Sequence, residues 1–113
     1  MYKFSFYVPI DHLEPIKTAL FKAGAGRLSN YDCCAWQTLG TGQYRPLSSS
    51  QPYVGTHDRI EIVEEYLVEM VCEDQYIQNV VKELLRVHPY EIPSYAVWKI
   101  DLCMKRNKEG DSN

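Results

Sequence analysis

The chain has 113 residues, of which 45% are hydrophobic and 24% charged, with a formal net charge of −3. That length is one domain's worth, enough to bury roughly two-thirds of the unfolded surface without disulfide or metal staples. The acidic balance counts against a nucleic-acid binder, which needs a basic stripe, and no apolar run reaches membrane-spanning length.

Residues 2–8 (YKFSFYV) alternate, with Tyr2, Phe4, Phe6 and Val8 on one side. This is the pattern of a strand, closed by Pro9. Asp11 then opens a helix, with Glu14 placed for a capping box and Pro15 tolerated in the first turn. Leu13, Ile16, Ala19, Leu20 and Ala23 supply its apolar stripe, and Gly24 and Gly26 end it. Residues 31–39 (YDCCAWQTL) read as a second strand, on which Cys33 and Cys34 would point to opposite faces. An irregular connection is expected over about 40–58, from GTGQYRP through SSSQP to YVGTHD. Connections of that length are usually functional or mobile.

Residues 60–72 form a long strand, with Tyr66, Val68, Met70 and Cys72 on one face and Glu65, Leu67, Glu69 and Val71 on the other. Glu73 or Asp74 caps a second helix carrying Ile77, Val80, Val81, Leu84, Leu85 and His88, which Pro89 closes. The last strand covers 95–102, with Ala96, Trp98, Ile100 and Leu102 set against Tyr95, Val97 and Lys99. The domain ends near 103, and 104–113 reads as a disordered tail.

The order is therefore β-α-β twice, an α+β ferredoxin-like βαββαβ fold. It has a four-stranded antiparallel sheet with two helices on one face. Phe4, Phe6, Trp36, Val68, Met70, Trp98 and Ile100 are expected to meet the helices. The opposite face would expose Tyr7, Ala35, Leu39, Leu67, Val71, Tyr95 and Val97 among Lys3, Glu65, Glu69 and Lys99. So apolar a face predicts a homo-oligomer. Charge is uneven as well: 58–74 holds seven acidic residues and only Arg59, either a solvated strand or a surface for a basic partner face. The four cysteines lack CxxC spacing and read as reduced residues of a cytoplasmic protein.

Three segments, AGAGRLSNYDCCAWQTLGTGQYRP (23–46), EEYLVEM (64–70) and HPYEIPSY (88–95), resemble the insert domain of YqfO-type proteins in the Ngg-interacting-factor-three-like family. The resemblance covers about residues 2–102, with the domain here standing alone. HPYEIP is also similar to the C-terminal motif of the CutA divalent-ion tolerance proteins, which share a trimeric fold with the PII signalling proteins. The resemblance implies a trimer-forming, PII/CutA-like domain. It does not bring the larger family's di-metal chemistry, whose ligands lie outside the insert domain.

For chemistry, GTGQYRP offers glycine-flanked amides and Arg45 to an anion, with Thr41, Gln43, Tyr44 and Arg45 as candidate ligand contacts. Alternatively it is a turn in which Tyr44 and Pro46 pack locally. It is no Walker motif. In HPYEIP, His88 and Glu91 could hold a metal ion or act as acid and base. Otherwise Pro89 and Pro93 simply stiffen a turn, and zinc would need a third ligand. His88 ends a helix, where the dipole favours a protonated ring. His12 and His57 stand apart, and no Ser–His–Asp order is present. Glu65 and Glu69 are about 13 Å apart along a strand, too far to share a proton. The expected function is a non-enzymatic oligomeric module binding a small ligand, metal ion or protein partner, without nucleic acid or membrane. A divalent-metal protein and a weak enzyme with an intersubunit site are the alternatives. No cofactor is assigned.

Overall fold

A computed structural model describes residues 1–101. Four strands, β1 (Tyr2–Pro9), β2 (Trp36–Tyr44), β3 (Glu61–Cys72) and β4 (Tyr95–Lys99), form one antiparallel sheet in the order β2-β3-β1-β4. Helix α1 (Leu13–Ala23) follows β1 and α2 (Ile77–Val87) follows β3. This is the expected ferredoxin-like arrangement.

Alternation along β1 and β3 places the core. Phe4, Phe6 and Val8 pair in register with Met70, Val68 and Tyr66. The resulting apolar strip is covered by Leu13, Ile16 and Leu20 of α1 and Val80 and Leu84 of α2, all buried. Removing each such side chain from water contributes about 1.5–3 kcal/mol.

Both helices begin differently from expectation. Each is entered through one 3-10 turn, Ile10–His12 and Asp74–Tyr76, with no side-chain cap. Glu14 therefore makes no capping box; it pairs with Lys17 at 3.1 Å. Asp74 instead holds the Met1 ammonium and Lys99, tying the second helix entry to the ends of β1 and β4. Gly24 ends α1 at φ 119°, where a Cβ would lie 2.4 Å from Cγ of Tyr76. Beyond it, the Gly26 amide donates to the Val71 carbonyl at 2.8 Å and stitches the helix exit to β3.

The second strand is displaced. Residues 31–35 are irregular: Cys33 sits at φ 55° and the Cys34 amide donates to the Gly26 carbonyl at 2.9 Å. Neither cysteine is on a strand. Pairing instead runs from Trp36 through GTGQY to Tyr44, so Gly40 and Gly42 are strand residues and the irregular connection shortens to 45–60.

Two face assignments reverse. Phe4 pairs with Val97 and Phe6 with Tyr95, which puts Val97 and Tyr95 on the helix side and Ala96 and Trp98 on the open side. Trp36 pairs with Glu69 and joins them there, whereas Leu39 pairs with Tyr66 and takes the helix side. Trp36 and Trp98 are 61% and 44% exposed, not core, and Leu85 of the α2 stripe is exposed too. Ala35 precedes the strand. The open face is nonetheless apolar, through Trp36, Trp98, Tyr7, Leu67 and Val71, with a Lys3–Glu69 contact of 3.5 Å among them. Leu102, the domain limit at 103 and the 104–113 tail fall outside the described residues. Among the described residues no helix is long and apolar enough to cross a membrane.

Candidate functional site

Two segments far apart in sequence converge on the open face. β2 and β3 extend beyond the end of β1 as a two-stranded ladder, and the chain folds back over it after Tyr44. His88 closes α2 in an extended conformation, because the residue before a proline is driven out of the helical region. The following turn lies beside the same ladder. Between them is a trough of about 750 Å³, walled by β2, the end of β1, the 46–53 segment and the 90–94 turn. A volume of this size suits a small organic molecule.

Tyrosines and glutamates shape the trough. Tyr90 lies between Tyr44 and Tyr53, with ring centroids 6.5 Å and 6.1 Å away. Its hydroxyl donates to Oε2 of Glu65 at 3.1 Å. The Glu65 carboxylate lies across β2 over Gly42, where a Cβ would come within 2.1 Å of Oε1. Glycine at 42 is thus what lets the carboxylate reach Tyr90. The Tyr44 hydroxyl donates to the Val54 carbonyl, and the Gln51 amide donates to Glu91 at 2.9 Å, so β2, the 46–57 segment and the 88–94 turn are linked. His57 adds a bond to the Ser50 carbonyl at 2.7 Å, and the His12 ring stands edge-on to Tyr53. Burial, and then the charge of Glu65, push the Tyr90 hydroxyl well above its ordinary range. Burial, Glu61 and Glu65 raise Tyr44 in the same way.

His88 anchors the turn. It is only 7% exposed; Nδ1 accepts the Tyr90 amide at 3.1 Å and Nε2 lies 2.6 Å from the Tyr7 carbonyl. A nitrogen that accepts an amide hydrogen carries no proton, so the ring is the neutral Nε2–H tautomer, donating to Tyr7. Burial lowers its pKa, outweighing the Tyr7 carbonyl, which raises it; nearby His12 lowers it further. The protonated ring expected from the helix dipole is therefore absent. Both nitrogens are committed, and a metal ion on His88 and Glu91 would have to break the bonds that hold the turn. Among the described residues no group of three or more His, Cys, Asp or Glu is placed to hold a metal ion.

Of the candidate ligand contacts, Thr41, Gln43 and Tyr44 line the trough, and Arg45 is not among its walls. Glu91 lines it as well. Tyr53, Glu65 and Tyr90 line it too, and the sequence carries no local mark of their role. Glu65 reads as one more solvated glutamate, and Tyr53 lies in an unpatterned polar run. The available signal was the surplus of tyrosine, nine in the chain.

No family model matches the chain. A GTP cyclohydrolase 1 type 2 homolog of Halalkalibacterium halodurans is 33% identical over 100 residues, covering 88% of this chain and 27% of that protein. The crystal structure of a Bacillus cereus protein related to NIF3 superposes with a TM-score of 0.76 at 32% identity, over 89% of this chain and 26% of the other. The chain spans about a quarter of the length of these relatives. The PII-like protein CutA of a Nostoc species matches over 89% of this chain and 82% of its own, with a TM-score of 0.64 at 18% identity, which speaks for the fold alone. The chain is therefore similar, over nearly all its length, to one domain-sized segment of the longer NIF3-related GTP cyclohydrolase 1 type 2 homologues, and its fold is CutA/PII-like.

Proposed function

We propose that this domain is a non-enzymatic, homo-oligomeric binding module, trimeric as the CutA/PII resemblance implies, working in the cytoplasm and holding a small ligand in the trough over β2 and β3. The observation that carries the reading is the convergence of the two segments singled out in the sequence, GTGQY and HPYEIP, on one trough of ligand size. Four of its polar side chains, Tyr44, Glu65, Tyr90 and Glu91, are already oriented by hydrogen bonds, the preorganisation that binding sites need. The exposed Trp36 and Trp98 beside it, with Tyr7 on its rim, supply the apolar surface for a second copy of the chain.

A thermal-shift screen of small metabolites and nucleotides tests the ligand site. A hit that raises the melting temperature of the wild type but not of Tyr90→Phe/Tyr44→Phe supports it. A hit unaffected by those changes, or no hit, refutes it. Sedimentation equilibrium tests the assembly, and a monomer at micromolar concentration would remove it.

A further inference from the structure

The trough is unbalanced in charge. Glu65 and Glu91 face it, and no lysine or arginine does among the described residues. Both carboxylates hold only neutral donors, the Tyr90 hydroxyl and the Gln51 amide, and neither is in an ion pair among the described residues. Glu65 is not free to swing toward solvent at no cost, because its position over Gly42 is tied to Tyr90. Beside it stand three phenol rings, Tyr44, Tyr53 and Tyr90, tilted about one another by 54° and 48°. Aromatic faces carry negative potential, and tilted rings beside a carboxylate make a surface that attracts a cation with an apolar body.

The alternatives fit less well. A phosphate or carboxylate would meet two glutamates with no cation to offset them. A hard metal ion would want several oxygen or nitrogen ligands, which the tyrosine faces do not provide and His88 has already committed elsewhere. Leu67 and Ile92, which also line the trough, favour a ligand with hydrocarbon to bury.

Building on the trough as a ligand site, we infer that its ligand is a small organic cation, a methylated or primary amine, with the ammonium group against Glu65 and the tyrosine faces. The full chain is titrated calorimetrically with choline, with 3,3-dimethyl-1-butanol, which has the same shape and no charge, and with acetate. Choline binds, the alcohol binds about tenfold more weakly or worse, and acetate does not bind. Glu65→Gln, whose amide oxygen still accepts from Tyr90, weakens choline about tenfold and leaves the alcohol unchanged. Tyr53→Leu, at a half-exposed position outside the core cluster, gives a second selective loss for choline.

An alcohol that binds as tightly as choline, or a choline-to-alcohol ratio unmoved by both variants, overturns the cationic assignment and leaves the trough a binding site. So does silence with choline when the metabolite screen returns a neutral or anionic ligand. Silence in both experiments overturns the assignment and the binding module together.

Discussion

Gly40 and Gly42 stand two residues apart on the same face of β2, yet replacing each with alanine should move stability in opposite directions. A Cβ at Gly40 meets nothing within 4 Å. Alanine there removes only the entropy cost of glycine in a strand and should stabilise by about 0.5–1 kcal/mol. A Cβ at Gly42 occupies the place of the Glu65 carboxylate. The side chain is long enough to move aside, so the cost is the lost bond from Tyr90 rather than a backbone clash. A hydrogen bond to a charged group contributes about 1.5–3 kcal/mol, and the half-exposed setting favours the lower end. Offset by the same glycine term, Gly42→Ala should lose about 1 kcal/mol. Urea unfolding followed by tryptophan fluorescence measures both, as midpoint shifts at constant slope. Isotope-labelled tyrosine NMR supplies the second readout: Tyr90, held above its ordinary range by burial and Glu65, should titrate lower in Gly42→Ala and stay unchanged in Gly40→Ala. Equal shifts of the same sign in the two variants, with Tyr90 unmoved in both, would refute the account of why position 42 is glycine.

Other consequences are equally direct. His88 is neutral and its folded pKa lies below the ordinary 6.5. In acid the unfolded chain then takes up a proton before the folded one, so this contribution is complete above about pH 6.5 and is lost as pH falls toward the folded pKa. Urea midpoints across that window should fall with pH for the wild type and less steeply for His88→Gln; parallel curves would reject the tautomer assignment. Gly24→Ala adds left-handed strain to a clash with the Tyr76 ring and should cost about 2–5 kcal/mol, with a loss under about 1 kcal/mol counting against that packing. Trp36→Ser and Trp98→Ser should each leave the unfolding free energy of the separated chain within about 0.5 kcal/mol while weakening self-association in sedimentation. A loss of about 3–5 kcal/mol instead would mean these rings are core after all.

Much of the fold was legible because its signals are local. Alternation marked β1 and β3, apolar spacing marked both helices, and Gly24 and Pro89 marked their ends. The site was only half legible. GTGQY and HPYEIP stood out as unusual segments, but Tyr53 and Glu65 gave no local sign of their role. Tyr90 gave no more sign, and it also serves the turn, since its amide donates to the His88 ring.

The amino-acid sequence by itself determined the order of elements, the helix stripes and the buried rows of β1 and β3, since each follows from side-chain period against a single chain direction. Only the tertiary structure decided which side of β4 faces the helices, because Tyr95/Val97 and Ala96/Trp98 are both apolar and pairing with Phe4 and Phe6 breaks the tie. It also decided that residues 31–35 leave the sheet, through a bond to Gly26, and that Glu65 meets Tyr90 across Gly42. Those outcomes depend on interstrand register and on contacts between separate segments, Tyr90 and Glu65 being 25 positions apart. Such contacts form only once the chain has folded back on itself, and no local pattern encodes them.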